Sequence, residues 1–161
     1  MEQHGHVAAV CVSSDPGVPK YPQSSALMGL YGLSGDYHAG EFRISRATKL
    51  PKLNDRQVSL VALEVLASVG EELMVGLQPG YFGENITTQG LGDLSDIKPG
   101  TIIRIGQWTY LQVTEQNEPC VNLNRWHPLT VKKSYGRRGL LAVVKSGEGA
   151  VIRPGDVIVV Q

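Results

Sequence analysis

Two segments in the C-terminal half repeat one turn-to-strand pattern. Ile97-Lys98-Pro99-Gly100-Thr101-Ile102-Ile103-Arg104-Ile105 and Ile152-Arg153-Pro154-Gly155-Asp156-Val157-Ile158-Val159-Val160 each run Ile, a basic residue, Pro-Gly, a small polar residue and then a β-branched strand. Proline at the second turn position fixes φ and glycine at the third accepts positive φ, so each copy predicts a type II turn that delivers the chain into a strand. Trp108 to Thr114 and Gly139 to Lys145 read as further strands, which crowds the last part of the chain with extended segments. With 19 Gly and 9 Pro in 161 residues, the chain is punctuated too often for a helix bundle. The expectation is a mostly β fold, a closed or nearly closed β-barrel with a few short helices, occupying residues 1–161 as one domain.

The N-terminal half is read less sharply. His6 to Val12 predicts a first buried strand containing Cys11, ended by the turn formers Ser13-Ser14-Asp15-Pro16-Gly17. Pro16 to about Asn54 has no sustained periodicity and predicts irregular chain with short strands around Leu30 and Tyr37. Ser59 to Val69 places Leu60, Leu63, Leu66 and Ala67 on one stripe and predicts a helix, with Ser59 as N-cap and Gly70 just past its end. A short second helix is expected from Glu71 toward Leu77.

Charge and cysteine usage bound the function. Lys plus Arg number 15 and Asp plus Glu number 15, so no global field attracts nucleic acid or an anionic membrane. The longest apolar runs fall far short of the roughly 20 residues that span a bilayer, and Met1 to His6 lacks the pattern of a secretory leader. A cytoplasmic protein with reduced thiols is expected, because Cys11 and Cys120 are only two, with no Cys-x-x-Cys pair, and indicate neither a disulfide framework nor a thiolate zinc site.

Several polar groups are candidates for chemistry. Asp36 and His38, two apart after Gly35, share a face if that segment is extended; the alternative is a loop in which Asp36 caps backbone amides and His38 is a surface residue. Asn85 lies in the glycine-flanked loop Gly83-Glu84-Asn85-Ile86-Thr87-Thr88-Gln89-Gly90 and suits a heterocycle or a structural turn equally. Cys120 follows a predicted strand in Asn117-Glu118-Pro119-Cys120-Val121-Asn122, a polar setting unlike that of a buried core cysteine. A reactive thiol needs a nearby base or cation, and Arg56, Arg125, Lys132, Lys133, Arg137 and Arg138 are the candidates. The cluster Lys132, Lys133, Arg137 and Arg138 is either a solvated loop or a clamp for phosphate.

In order along the chain, Gly35-Asp36 with His38, Arg56-Gln57-Val58-Ser59-Leu60 with Glu64, Gly83-Glu84-Asn85-Ile86-Thr87, the Pro99-Gly100 turn with Ile105-Gly106, Glu118-Pro119-Cys120 and Pro154-Gly155-Asp156 resemble a MOSC domain. This is the C-terminal domain of molybdenum cofactor sulfurases, also found as stand-alone bacterial proteins, and the resemblance covers roughly residues 5 to 160. It implies a barrel of the pyruvate-kinase type. It also implies that Cys120 carries persulfide sulfur or ligates molybdenum, roles that suit a soft thiolate. The implied cofactor is molybdenum cofactor, a pterin bearing a phosphate. By residue type, Asn85 and Asn122 are expected to meet the heterocycle and Arg56 or Arg138 the phosphate, with Asp36 and His38 completing the binding set.

The resemblance also carries departures. The chain has no room for the pyridoxal-phosphate desulfurase domain of the fused sulfurases, nor for the extra N-terminal barrel region or iron–sulfur domain of molybdenum reductases. A sulfur donor of the cysteine desulfurase type or an electron-donor protein is therefore the expected partner, and the activity expected is sulfur transfer or a part in a molybdenum-dependent reductase. Two other readings stay open from the residues: a non-catalytic module that binds a pterin or another anionic small molecule, and a hydrolase pairing Cys120 with His38 or His127, for which no oxyanion hole is visible.

Overall fold

The structure is a computed structural model and describes residues 2–161. Thirteen strands appear in chain order: β1 (Gln3–Val12), β2 (Tyr21–Gln23), β3 (Ala26–Gly29), β4 (Gly32–Leu33), β5 (Phe42–Ile44), β6 (Pro51–Leu53), β7 (Val58–Ala62), β8 (Ile86–Gln89), β9 (Ile102–Ile105), β10 (Thr109–Gln116), β11 (Leu140–Ser146), β12 (Val151–Ile152) and β13 (Val157–Val160). Two short helices, α1 (Leu63–Leu73) and α2 (Thr130–Ser134), and a 3-10 turn (Val121–Arg125) complete the described elements.

Seven strands close a barrel in the order β13-β9-β10-β11-β7-β8-β1, and β1 returns to β13 through Gln3 opposite Val160 to His6 opposite Val157. Closure leaves no exposed sheet edge in the ring. The expected fold class is therefore what the chain adopts. Gly100 and Gly155 take φ of 92° and 93°, and Thr101 and Asp156 donate their backbone N–H to the carbonyls of Lys98 and Arg153, as type II turns require. Both turns feed β-branched strands, β9 and β13, that pair with each other inside the ring. Val10, Met28, Leu60, Ile86, Ile103, Leu111, Leu140 and Ile158 are among the side chains that fill the interior.

The helix expected from Ser59 begins later. Val58 to Ala62 is a central strand, paired antiparallel with β11 and parallel with β8, and only from Leu63 does the chain turn helical. The alternation of Val58, Leu60 and Ala62 satisfies a strand as well as the helical stripe does, and two sheet partners decide the competition. Ser59 is therefore not an N-cap; Ala62 occupies that position with no side-chain hydrogen bond, and Glu71 to Leu73 finish α1 rather than opening a second helix. Leu30 and Tyr37 likewise fall in turns beside β3 and β4. Parallel β7 and β8 need a crossover, and α1 supplies it, packing Val65, Leu66, Val69 and Leu73 inward.

Gly70 lies inside α1 and is buried, and a Cβ there would stand 2.7 Å from the carbonyl oxygen of Val75. Helix propensity alone makes Gly→Ala stabilising by about 1 kcal/mol. Here the backbone of the following loop occupies the space, so Gly70→Ala is expected to lose about 1–3 kcal/mol. A fall in the urea midpoint at unchanged m-value checks it; a rise would show that the loop yields.

Candidate functional site

The end of the barrel where β10 runs out and β11 begins opens into a cleft of about 750 Å³, a size suited to a small-molecule ligand. Its floor carries Ser59 of β7, Glu115 and Gln116 of β10 and Leu141 of β11; its rim carries the 16–18 loop, Tyr37 and His38 after β4, and Arg46 in the turn after β5. The segment from Asn117 to Cys120, with Asn122 and Arg138, closes the remaining side.

Cys120 immediately precedes the 3-10 turn, with extended backbone, and its carbonyl accepts the N–H of Leu123 at 3.0 Å. Leu123 is buried and anchors that turn in the core. Further along, Trp126 stacks on Tyr81 with ring centroids 3.9 Å apart, donates its indole N–H to the Tyr81 carbonyl at 2.8 Å, and lies beneath the Arg125 guanidinium. The thiol is thus held at a fixed place on the wall and remains partly exposed. Cys11, by contrast, is wholly buried in β1; burial first, and then the Glu84 carboxylate, push its thiol up to about 12.

Arg138 staples the Cys120 segment to the loop that holds Phe82. Its Nη1 donates to the Glu118 carbonyl at 2.7 Å and its Nη2 to the Phe82 carbonyl at 3.0 Å, while its buried Nε has no partner among the described residues. Burial lowers its pKa, and Cys120 followed by Glu84 are the charges that oppose the shift. Arg56 also faces the cleft and pairs with Glu115 at 3.0 Å, both groups half exposed. Arg46 completes a set of three cleft arginines that the sequence reading did not assemble, because its turn reaches the cleft only through the β5–β6 pairing.

The four-cation cluster does not converge on the cleft. Arg137 and Lys133 pair with Glu72 of α1, and Lys132 is exposed, so only Arg138 of that cluster lines the site. Arg125 donates to the Val18 carbonyl. Asn122 is on the cleft wall as expected. Asn85 is buried beneath it: its amide donates to the Cys11 carbonyl at 3.1 Å and accepts from the Ser59 N–H at 3.1 Å, so it is placed to position Ser59.

Asp36 and His38 lie in a turn rather than an extended segment. The buried Asp36 carboxylate accepts the backbone N–H groups of Ser13 and His38 and both contacts from the Lys20 ammonium, at 2.9 and 2.8 Å. Asp36 itself does not line the cleft; His38 does. Lys20, whose side chain is fully buried, was not singled out from the sequence, since a lone lysine after Pro19 carries no periodic or motif signal. Its Nζ also stands 3.1 Å from His38 Nδ1. Burial, and next the Lys20 charge, hold the His38 pKa down to about 4. Beneath these groups Glu84 is completely buried, accepting from Phe82 N–H and the Thr87 hydroxyl, and burial raises its pKa.

A cysteine pairing with histidine as a hydrolase would require finds little support in these contacts. His127 is outside the cleft and accepts the Leu129 N–H on Nδ1, while His38 already meets Lys20 through Nδ1.

The class of this seven-strand barrel is settled by the MOSC domain profile, which matches residues 34–159: the chain belongs to the MOSC domain family. YuaD of Bacillus subtilis (strain 168), provisionally named for metal-sulfur cluster biosynthesis, is 27% identical over 146 residues, covering 78% of this chain and 71% of YuaD. The YuaD crystal structure superposes with a TM-score of 0.88 at 20% identity, spanning 99% of this chain and 97% of that one. YiiM of Geobacillus stearothermophilus has the same fold, with a TM-score of 0.70 at 23% identity over 98% of this chain and 75% of its own.

Two outcomes follow from the environments of Cys11 and His38. Iodoacetamide at pH 8 is expected to label Cys120 and to leave Cys11 unmodified until the protein is unfolded, as peptide mass spectrometry will read; equal labelling of both in the native state would contradict the burial of Cys11. His38 is harder to protonate folded, about 4, than in an unfolded chain, 6.5. Its contribution to stability is therefore complete above pH 6.5 and lost as pH falls toward 4. His38→Gln is expected to flatten that part of the stability-against-pH curve from urea titrations, whatever its effect at pH 7.

Proposed function

We propose that the cleft binds molybdenum cofactor or carries persulfide sulfur on Cys120 for delivery to a metal–sulfur or molybdenum centre. The observation that carries this reading is the position of Cys120: a partly exposed thiol fixed on the wall of a cleft whose other residues include three arginines and a neutral histidine. A soft nucleophile beside a site for an anion fits both sulfur transfer and a soft metal held by an anionic ligand.

The donor set fits the cofactor. Arg138 has an unpartnered buried Nε, and Arg46 and Arg56 add paired donors suited to phosphate oxygens. Asn122 and Asn117 are amides on the wall available to a heterocycle, and Ser59 adds a hydroxyl on the floor. Among the described residues no three His, Cys, Asp or Glu side chains gather to hold a metal on their own, so a molybdenum ion fits best as part of an organic cofactor, with Cys120 as its one thiolate from this chain. When bound, that cofactor would supply a redox-active metal able to accept sulfur ligands.

For sulfur carriage, the Cys120 thiolate attacks the outer sulfur of a donor persulfide. A bond forms between Cys120 Sγ and that sulfur as the donor's S–S bond breaks, and the donor leaves as thiolate, so no outside oxidant or reductant is needed. This chain positions the thiol and presents cations to the resulting persulfide anion. The provisional name of the YuaD relative, metal-sulfur cluster biosynthesis, supports a sulfur-related pathway; the partner in this reading is a sulfur-donor or electron-donor protein. No helix among the described residues is long and apolar enough to cross a membrane.

The test is elemental analysis of protein co-produced with active molybdenum-cofactor synthesis, with cyanide-releasable sulfur assayed on the same samples. Molybdenum or releasable sulfur present in the wild type and lost in Cys120→Ala is the expected result. Neither signal in the wild type would overturn the reading and favour a module that binds an anionic small molecule without chemistry.

A further inference from the structure

We propose that Lys20 is a positioning residue that fixes the tautomer of His38, so that the cleft is offered a neutral Nε2–H hydrogen-bond donor aimed at an oxyanion. This rests on the cleft's being an anion site, and is independent of whether Cys120 carries sulfur.

The argument begins with an ammonium group that has three N–H donors and no acceptor. Lys20 Nζ finds three acceptors: both oxygens of Asp36, at 2.9 and 2.8 Å, and Nδ1 of His38, at 3.1 Å. Asp36 keeps the lysine charged, since its carboxylate is fixed by two backbone N–H groups and is buried with no other cation in contact. Burial pulls the Lys20 pKa down, and the Asp36 charge and hydrogen bond are the first causes that restore it. A nitrogen that accepts from an ammonium carries no proton of its own. The single imidazole proton must therefore sit on Nε2.

The ring cannot turn to exchange its nitrogens without losing the Lys20 contact. Tyr37 packs edge-on against it, with centroids 5.2 Å apart and planes at 88°, and Asn54 ties down the His38 carbonyl at 2.7 Å. Nε2 has no protein partner among the described residues, and the side chain, 44% exposed, lines the same cleft as the arginines. An uncharged donor there adds direction to an electrostatic site. The arginines attract an anion; the imidazole N–H selects an oxygen at one place on it. The same arrangement leaves His38 without a free basic nitrogen, which sets it apart from a general base.

Removing the ammonium should invert the tautomer. In Lys20→Met, Asp36 Oδ2, now 3.9 Å from Nδ1, becomes the natural acceptor for an Nδ1 proton, and Nε2 would then face the cleft as a lone pair.

Two-bond ¹H–¹⁵N correlation spectra of histidine-labelled protein at pH 7 read the tautomer directly. The expected wild-type pattern is an unprotonated Nδ1 and protonated Nε2 for His38, with the pattern reversed in Lys20→Met. An Nδ1–H form, an even mixture or a doubly protonated ring in the wild type would overturn the proposal, and that reading needs no variant to fold. With inorganic phosphate as probe in calorimetric titrations, His38→Gln, which keeps a donor near Nε2, is expected to bind within about threefold of wild type. His38→Leu should weaken binding by about tenfold or more. Equal weakening by both variants, or no phosphate binding by the wild type, would overturn the donor role. The tautomer and phosphate readouts need neither sulfur nor molybdenum, so failure of sulfur or molybdenum binding is told apart from failure here.

Discussion

A lysine ammonium buried beside a carboxylate is the constraint around which the open end of this barrel is arranged. Left without Asp36, the buried Lys20 charge would lose its ion-pair partner, and removing one partner of such a pair costs on the order of 3–5 kcal/mol. Satisfying it draws together segments far apart in sequence. Asp36 must also receive the N–H of Ser13 at the end of β1, and the Lys20 backbone must donate to Gly80 in the crossover between β7 and β8. Gly80 has positive φ, and a side chain there would run into the Lys20 carbonyl. The loops forming three walls of the cleft are thereby fixed to one another before any ligand arrives, and His38 inherits its orientation from them.

The features legible in the sequence were those decided locally. A Pro-Gly pair dictates its own turn, so the entries to β9 and β13 were readable, and with them the strand-rich, closed architecture. Cys120 stood out because its neighbours Glu118, Pro119 and Asn122 are wrong for a core strand, and Cys11 read as a core residue because its neighbours are right for one. Features decided by pairing across the chain were not readable. Ser59 to Ala62 satisfies helix and strand periodicities alike until β8 and β11 flank it. Lys20 and Arg46 carry no local mark at all, since the burial of one and the cleft position of the other exist only after the loops close. Asn85 shows the converse: a residue type equipped for a heterocycle is spent on the backbone of Cys11 and on Ser59. The order of motifs along the chain was specific enough to place the domain family even where single residues were ambiguous.

The two cysteines show how one fold can make the same side chain inert or available. Cys11 is surrounded by the barrel wall and lies near a buried carboxylate, so ionising it would place a second negative charge beside Glu84 in a region that water does not reach. Cys120 sits where β10 has ended and the chain must turn, near a guanidinium that is itself only partly satisfied. Arg138 donates to the carbonyls of Glu118 and Phe82 and so ties the Cys120 segment to the Phe82 loop. Its Nε is buried and has no partner among the described residues. Structural and ligand-directed roles are combined in one side chain, which makes Arg138 sensitive to replacement by lysine: a single ammonium cannot span both carbonyls with the geometry of a planar fork.

This economy also explains why so few of the chain's cations are needed at the cleft. Lys133 and Arg137 spend their charge on Glu72 and hold α2 against α1, while Arg43 and Lys52 meet Asp55 across the β5–β6 hairpin. With formal charges balanced over the whole chain, a positive site can arise only where cations gather without carboxylates to match them. At the cleft, Arg56 has Glu115, but no carboxylate pairs with Arg46 or Arg138 among the described ion pairs. An anionic ligand there would supply the charge that the fold leaves out, and it would do so beside the one cysteine in the chain that solvent can reach.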